Sequence, residues 1–151
     1  ACSRAELTGA IEGRGFSAPL ACEVVDRLEA VGLVDDQAYA DALVRARFAG
    51  SGASVRALRE LLVRKGLDAS TIERALSQID REDEVERAAQ LVERKRRALA
   101  GVPRDTAYRR LSSMLARKGY SPSVASAVVR EALDEWGDQG DHAQEEWQWA
   151  L

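Results

Sequence analysis

ARKGYSPSVASAVVREAL, residues 116–133, is the stretch on which the fold turns. Arg117 and Lys118 suit the negative end of a helix dipole, and Gly119 supplies the left-handed residue that closes a helix. Ser121 and Pro122 read as the N-cap and first-turn proline of a second helix. Behind them, Ala125, Val128, Val129, Ala132 and Leu133 recur at helical spacing. The same phrase occurs twice earlier, as VRKGLDASTIERALSQI at 63–79 and GRGFSAPLACEVVDRL at 13–28. Gly15, Gly66 and Gly119 stand 51 and 53 residues apart, a period that implies stacked helical repeats. Backbone geometry alone accounts for all three glycines.

Working outward, the spacing predicts two more helices ahead of the third phrase, residues 82–100 and 105–118, joined by Gly101, Val102 and Pro103. Each repeat is therefore about three helices. The matching helix of the middle repeat is expected over residues 36–48, followed by a loop over 49–53 and a helix from Ser54. The first repeat begins at its second helix, which suggests a fragment of a longer protein. Strand signals are nearly absent. The expected fold is all-α, an elongated array of tandem three-helix repeats with helix-turn-helix outlines. Its parts are a partial first repeat (1–31), a second (32–80), a third (81–135) and an acidic, Trp-containing tail (136–151).

Core stripes follow from the same periodicity. Leu58, Leu61 and Leu62 are expected to face inward, leaving Arg56 and Arg59 exposed. Tyr39 shares a stripe with Ala42, Leu43 and Ala46, and is read as core. On the 82–100 helix the stripe is Val85, Ala88, Ala89, Val92 and Leu99. Arg87, Arg94 and Arg97 then face away, and Arg96 lays its stem across a neighbouring repeat.

Composition excludes several classes of function. A hydrophobic content of 46% with 31% charged residues is ordinary for a soluble chain, and no apolar run has membrane-spanning length. Residues 1–6 lack an initiator Met and the apolar core of a signal peptide, so a cytoplasmic location is expected. Cys2 and Cys22 are too few for a disulfide framework and read as free thiols, Cys22 being a helical position open to burial. His142 is the only histidine, so neither a His-based triad nor a multi-histidine metal site can be assembled. A GxxxxGK[ST] loop is absent. Of the adjacent Asp35 and Asp36, one is expected to cap a helix. The run Asp80, Glu82, Asp83, Glu84, Glu86 reads as a solvated first turn rather than a metal cluster. The expectation is a protein without catalytic constellation, metal or cofactor.

The net charge of −3 hides a strong segregation. Residues 43–67 hold six basic residues against Glu60 alone, and residues 87–118 hold ten against Glu93 and Asp105. Beyond Arg130 there is no Lys or Arg, but seven acidic residues. Exposed arginines on helices are common. These blocks, however, occupy corresponding helices of successive repeats, and stacking would merge them into one stripe suited to phosphates or an acidic protein groove. The tail, with Trp147 and Trp149, is either disordered or folds onto that stripe as an intramolecular competitor.

At this point a family likeness emerges. LEAVGLVDDQAYADALVRAR at 28–47, LLVRKGL at 61–67 and LARKGYSPSVASAVV at 115–129 resemble the RecX family of bacterial regulatory proteins, across most of residues 3–133. The most specific part is GLVDDQAYA at 32–40. One departure is the absence of the family's Gly-Pro before the middle repeat's second helix, where Ser54 and Val55 stand. The resemblance implies a monomeric non-enzyme built of three-helix repeats. It would bind the RecA recombinase filament on single-stranded DNA, lie in the filament groove, and suppress ATP hydrolysis, strand exchange and co-protease activity, so modulating recombination and the SOS response. Carried over residue by residue, the contacts to RecA or DNA fall on Arg45, Arg47, Arg56 and Arg59, and on Arg94, Arg97, Arg109 and Arg110. Arg64, Lys65, Lys95, Arg117 and Lys118 join them from the same basic blocks. The alternative is a stand-alone helix-turn-helix-like DNA-binding module, which would also bind double-stranded DNA.

Overall fold

Short side chains at the helix starts set the boundaries of the elements. The computed structural model describes residues 2–149, with side chains as far as residue 137. Among the described residues every regular element is helical. In order they are α1 (Arg4–Gly13), α2 (Ala18–Ala30), α3 (Asp36–Ser51), α4 (Val55–Arg64), α5 (Ala69–Leu76), α6 (Arg81–Glu93), a 3-10 turn (Arg97–Leu99), α7 (Arg104–Arg117) and α8 (Pro122–Trp149). Ser3, Ser17, Asp35, Ser54 and Asp68 each accept a hydrogen bond from a first-turn backbone N–H, which satisfies donors that a helix start otherwise leaves unpaired. Asp35 is thus the cap expected at the Asp35–Asp36 pair. Ser54 caps α4 from a nearly fully buried position.

The repeated phrase closes its helices in the manner its glycines imply. At residues 62–67 the Leu67 N–H donates to Leu62 O at 3.3 Å, and at 115–120 the Tyr120 N–H donates to Leu115 O at 3.0 Å. Gly66 (φ 78°) and Gly119 (φ 92°) hold the left-handed turn between them. This is a Schellman closure, in which the residue after glycine drops into the core. Leu67 and Tyr120 are both buried.

The chain divides into two compact units, Ala1–Asp80 and Arg81–Leu151. In the first, Ala40 and Val44 of α3, Leu58 and Leu62 of α4, and Ile72, Ala75 and Leu76 of α5 surround Leu67. Tyr39 packs against this core as expected, together with Leu43, but Ala42 and Ala46 are exposed. The buried arc of α3 runs through Ala40 and Val44, one position off the expected line. Helix α1 is fastened to the rest of this unit at its start. Ser3 Oγ donates to Lys65 O at 2.6 Å, the Arg4 N–H donates to Asp36 Oδ1 at 2.7 Å, and the Arg4 guanidinium engages Asp26 and Glu29 of α2.

In the second unit, α6, α7 and α8 enclose a core running from Ala88 to Leu133, with Leu111, Leu115 and Val129 at its centre. The sequence-based stripe on α6 needs correction. Arg87 is buried, its guanidinium donating to Gln90 Oε1 at 2.9 Å, while Ala89 is exposed. The buried arc is Ala88, Leu91 and Val92, with the Arg87 stem on its border. Helix α6 also ends at Glu93, earlier than expected, and α3 continues to Ser51, three residues beyond Phe48. Arg94 and Lys95 therefore belong to a turn, not to a helix face. Cys22 is exposed rather than buried. Helix α8 runs to Trp149 without a break at Trp136, but the side chains beyond Gly137, and with them the expected docking of the tail, lie outside the described residues.

Candidate functional site

The expected cations differ sharply in whether the fold already employs them. In the first unit most have partners. Arg59 grips Glu73 with Nε and Nη2, at 3.1 and 2.9 Å, joining α4 to α5. Lys65 Nζ lies 3.4 Å from Glu6 Oε2, Arg56 Nε lies 3.6 Å from Glu60 Oε1 one turn along α4, and Arg45 donates to Gln78 Oε1 at 3.3 Å. Arg47 and Arg64 are exposed and make no side-chain hydrogen bond or ion pair among the described residues. Exposed pairs such as Arg56–Glu60 contribute only ~0.3–0.5 kcal/mol and can be given up to a ligand. Arg59–Glu73 and Lys65–Glu6 bridge separate elements, so drawing on them loosens the fold.

The second unit is different. Arg94, Lys95, Arg97, Arg109, Arg110 and Arg117 have no side-chain hydrogen bond or ion pair among the described residues, and all six are exposed. Helix α7 explains the clustering. Ala107, Leu111 and Leu115 take its core face, which leaves positions 106, 109, 110, 113 and 117 along an adjoining stripe at helical spacing. That stripe, with Lys95, Ala98 and Leu99 from the turn after α6, walls a cleft of about 820 Å³. Arg109, Arg110 and Arg117 come from α7, and Met114 and Leu111 supply an apolar floor. Lys118 is half-buried just beyond it. Arg96 lies outside this group. Its guanidinium sits 5.8 Å from the Trp136 ring centroid and 3.4 Å from Glu93, while Trp136 Nε1 donates to the same carboxylate at 3.3 Å. The Arg96 head thus secures α8 to the end of α6.

The Ser3 backbone N–H holds the Glu6 carboxyl below its ordinary value, and the Thr71 N–H does the same for Asp68. Burial raises the phenols of Tyr39 and Tyr120, the latter to about 12. Each of these four shifts has a structural cause, a cap or a core position. Among the described residues no three His, Cys, Asp or Glu side chains are placed to hold a metal ion, and no helix is long and apolar enough to cross a membrane.

Fold and face together define a class: tandem three-helix modules presenting arginines that have no ion-pair partner among the described residues. Comparison with known proteins makes the class specific. Residues 35–76 match the family model described as RecX, second three-helix domain, and residues 82–129 match RecX, third three-helix domain. The Regulatory protein RecX of Streptomyces lividans is 46% identical over 144 residues, covering 95% of this chain and 77% of the relative. That of Thermobifida fusca (strain YX) is 40% identical over 139 residues, covering 92% and 75%. This chain belongs to the RecX family of regulatory proteins. In fold it is also similar to the crystal structure of RecX from Lactobacillus salivarius, with a TM-score of 0.77 at 21% identity over 86% of this chain and 84% of that one.

Proposed function

We propose that this chain binds the RecA recombinase assembled on single-stranded DNA and restrains the filament's ATPase, strand-exchange and co-protease activities, so tempering recombination and the SOS response. The observation that carries the reading is membership of a regulatory family through both three-helix modules. The unpaired cationic face of α7 supports it, since a filament on DNA offers phosphates and acidic protein surface to such a face. The protein works without a cofactor, in the cytoplasm, as a monomer. Helices α1 and α2 stand for the second and third helices of a first repeat, because Phe16, Leu20 and Val24 occupy the register of Tyr120, Val124 and Val128. The latter three are buried, whereas Phe16, Leu20 and Val24 are 52%, 42% and 38% exposed.

Co-sedimentation separates this reading from a stand-alone DNA-binding module. The chain should pellet with RecA filaments on single-stranded DNA at salt concentrations that release it from bare DNA. A DNA module would show one steep salt dependence with or without RecA, and that result would overturn the proposal.

A further inference from the structure

We infer that the cleft between the Arg97–Leu99 turn and α7 is a seat for single-stranded nucleic acid, with Lys95, Arg109, Arg110 and Arg117 on its phosphates and the apolar Leu111 and Met114 of its lining under a base or sugar. This deepens the reading above, on which it rests for the presence of DNA, and assigns the DNA-contacting role to the second unit rather than to both basic blocks.

Three observations support the assignment. First, availability: the four cations lack intramolecular partners among the described residues, whereas in the other block only Arg47 and Arg64 do, Arg59 and Lys65 being committed to ties between elements. Second, donor chemistry: the polar side chains of the cleft are guanidinium, ammonium and the hydroxyls of Thr106 and Ser113, with no carboxylate or carboxamide among them. A phosphodiester backbone presents acceptors to proteins, and Arg, Lys, Ser and Thr are the side chains that contact it. A bound acidic peptide also brings backbone N–H groups, which need acceptors that this lining does not emphasise. Third, shape: Arg110 and Arg117 lie seven residues apart on α7, roughly 10 Å along its axis at 1.5 Å per residue. They flank a concave site whose floor is apolar. A duplex keeps its bases stacked inside, whereas a single strand can lay a base on that floor as its phosphates follow the charged wall.

The test is fluorescence anisotropy of fluorescein-labelled oligothymidine with the full chain and no RecA, across a salt series. The triple variant R109Q/R110Q/R117Q is compared with R14Q/R27Q/R130Q, which removes the same charge outside the cleft, and circular dichroism confirms that both stay helical. Loss of three phosphate contacts should lower the slope of log affinity against log salt by about 2, at about 0.7 per contact for single strands. Binding should weaken at least about tenfold at low salt, against less than about twofold for the control. Unchanged affinity and slope in the triple variant would overturn the assignment. So would a duplex binding more tightly than the single strand, or labelled oligoglutamate binding the cleft where oligothymidine does not. Because RecA is absent, a failure here leaves a protein-mediated route to filament control standing, and a failure to restrain RecA leaves the cleft's affinity standing.

Discussion

At the scale of residues, three glycines that look equivalent do different amounts of work. Gly15, Gly66 and Gly119 all have positive φ, and around Gly66 space is so short that an added Cβ would overlap a neighbouring side chain, Ala5 of α1. At Gly15 the space is open. Gly15→Ala should therefore cost only left-handed strain, ~1–2 kcal/mol. Gly66→Ala should cost a further ~1–3 kcal/mol from overpacking, measured by urea unfolding of each variant. The same corner makes the first unit acid-sensitive. Glu6, held below its ordinary value of 4.5 first by the Ser3 N–H and also by Lys65, contributes stability that is fully present above that value and is lost as pH falls through its lowered folded value. In Glu6→Gln, stability at neutral pH should fall and the loss between neutral and acidic pH should shrink; an acid profile identical to wild type would refute this role. The turn glycines and caps were legible in the sequence because they are local. Arg87 was not, since its burial depends on what α7 and α8 lay over the border of the stripe, information that helical periodicity does not carry.

At the scale of elements, helix starts were more legible than helix ends. Ser54, Asp35 and Ser121 mark starts through side chains that cap them, but nothing in KRRALA at 95–100 breaks a helix. The chain leaves α6 after Glu93 and passes into the 3-10 turn that buries Leu99, a tertiary demand that overrides good local helix propensity. This rearrangement forms one wall of the cleft, which explains why a reading of 82–100 as one continuous helix found the cations but not the concavity. The repeats supply a matched comparison between elements. Val128 on α8 is buried, while its counterpart Val24 on α2 is substantially exposed. Val128→Ala should lower unfolding free energy by about 2 kcal/mol and Val24→Ala by less than about 1 kcal/mol. Equal losses would mean that the α2 stripe is covered in solution.

At the scale of the whole molecule, an acidic average coexists with basic regions because charge is segregated along the chain, with seven acidic residues and no Lys or Arg beyond Arg130, and in the first unit carboxylates also engage particular cations. Glu6 reaches Lys65 across 59 residues of sequence, and Glu73 reaches Arg59. Sequence blocks identified both basic regions but could not distinguish cations spent on folding from those left for a ligand, because that depends on contacts between residues distant in the chain. The central claim, restraint of a recombinase filament, is tested most directly by the single-stranded-DNA-dependent ATPase of the cognate RecA, titrated with this chain. Inhibition is expected, weakened in R109Q/R110Q/R117Q and retained in R14Q/R27Q/R130Q. An ATPase rate unchanged by the folded wild-type chain, even at equimolar ratio to RecA, would contradict it.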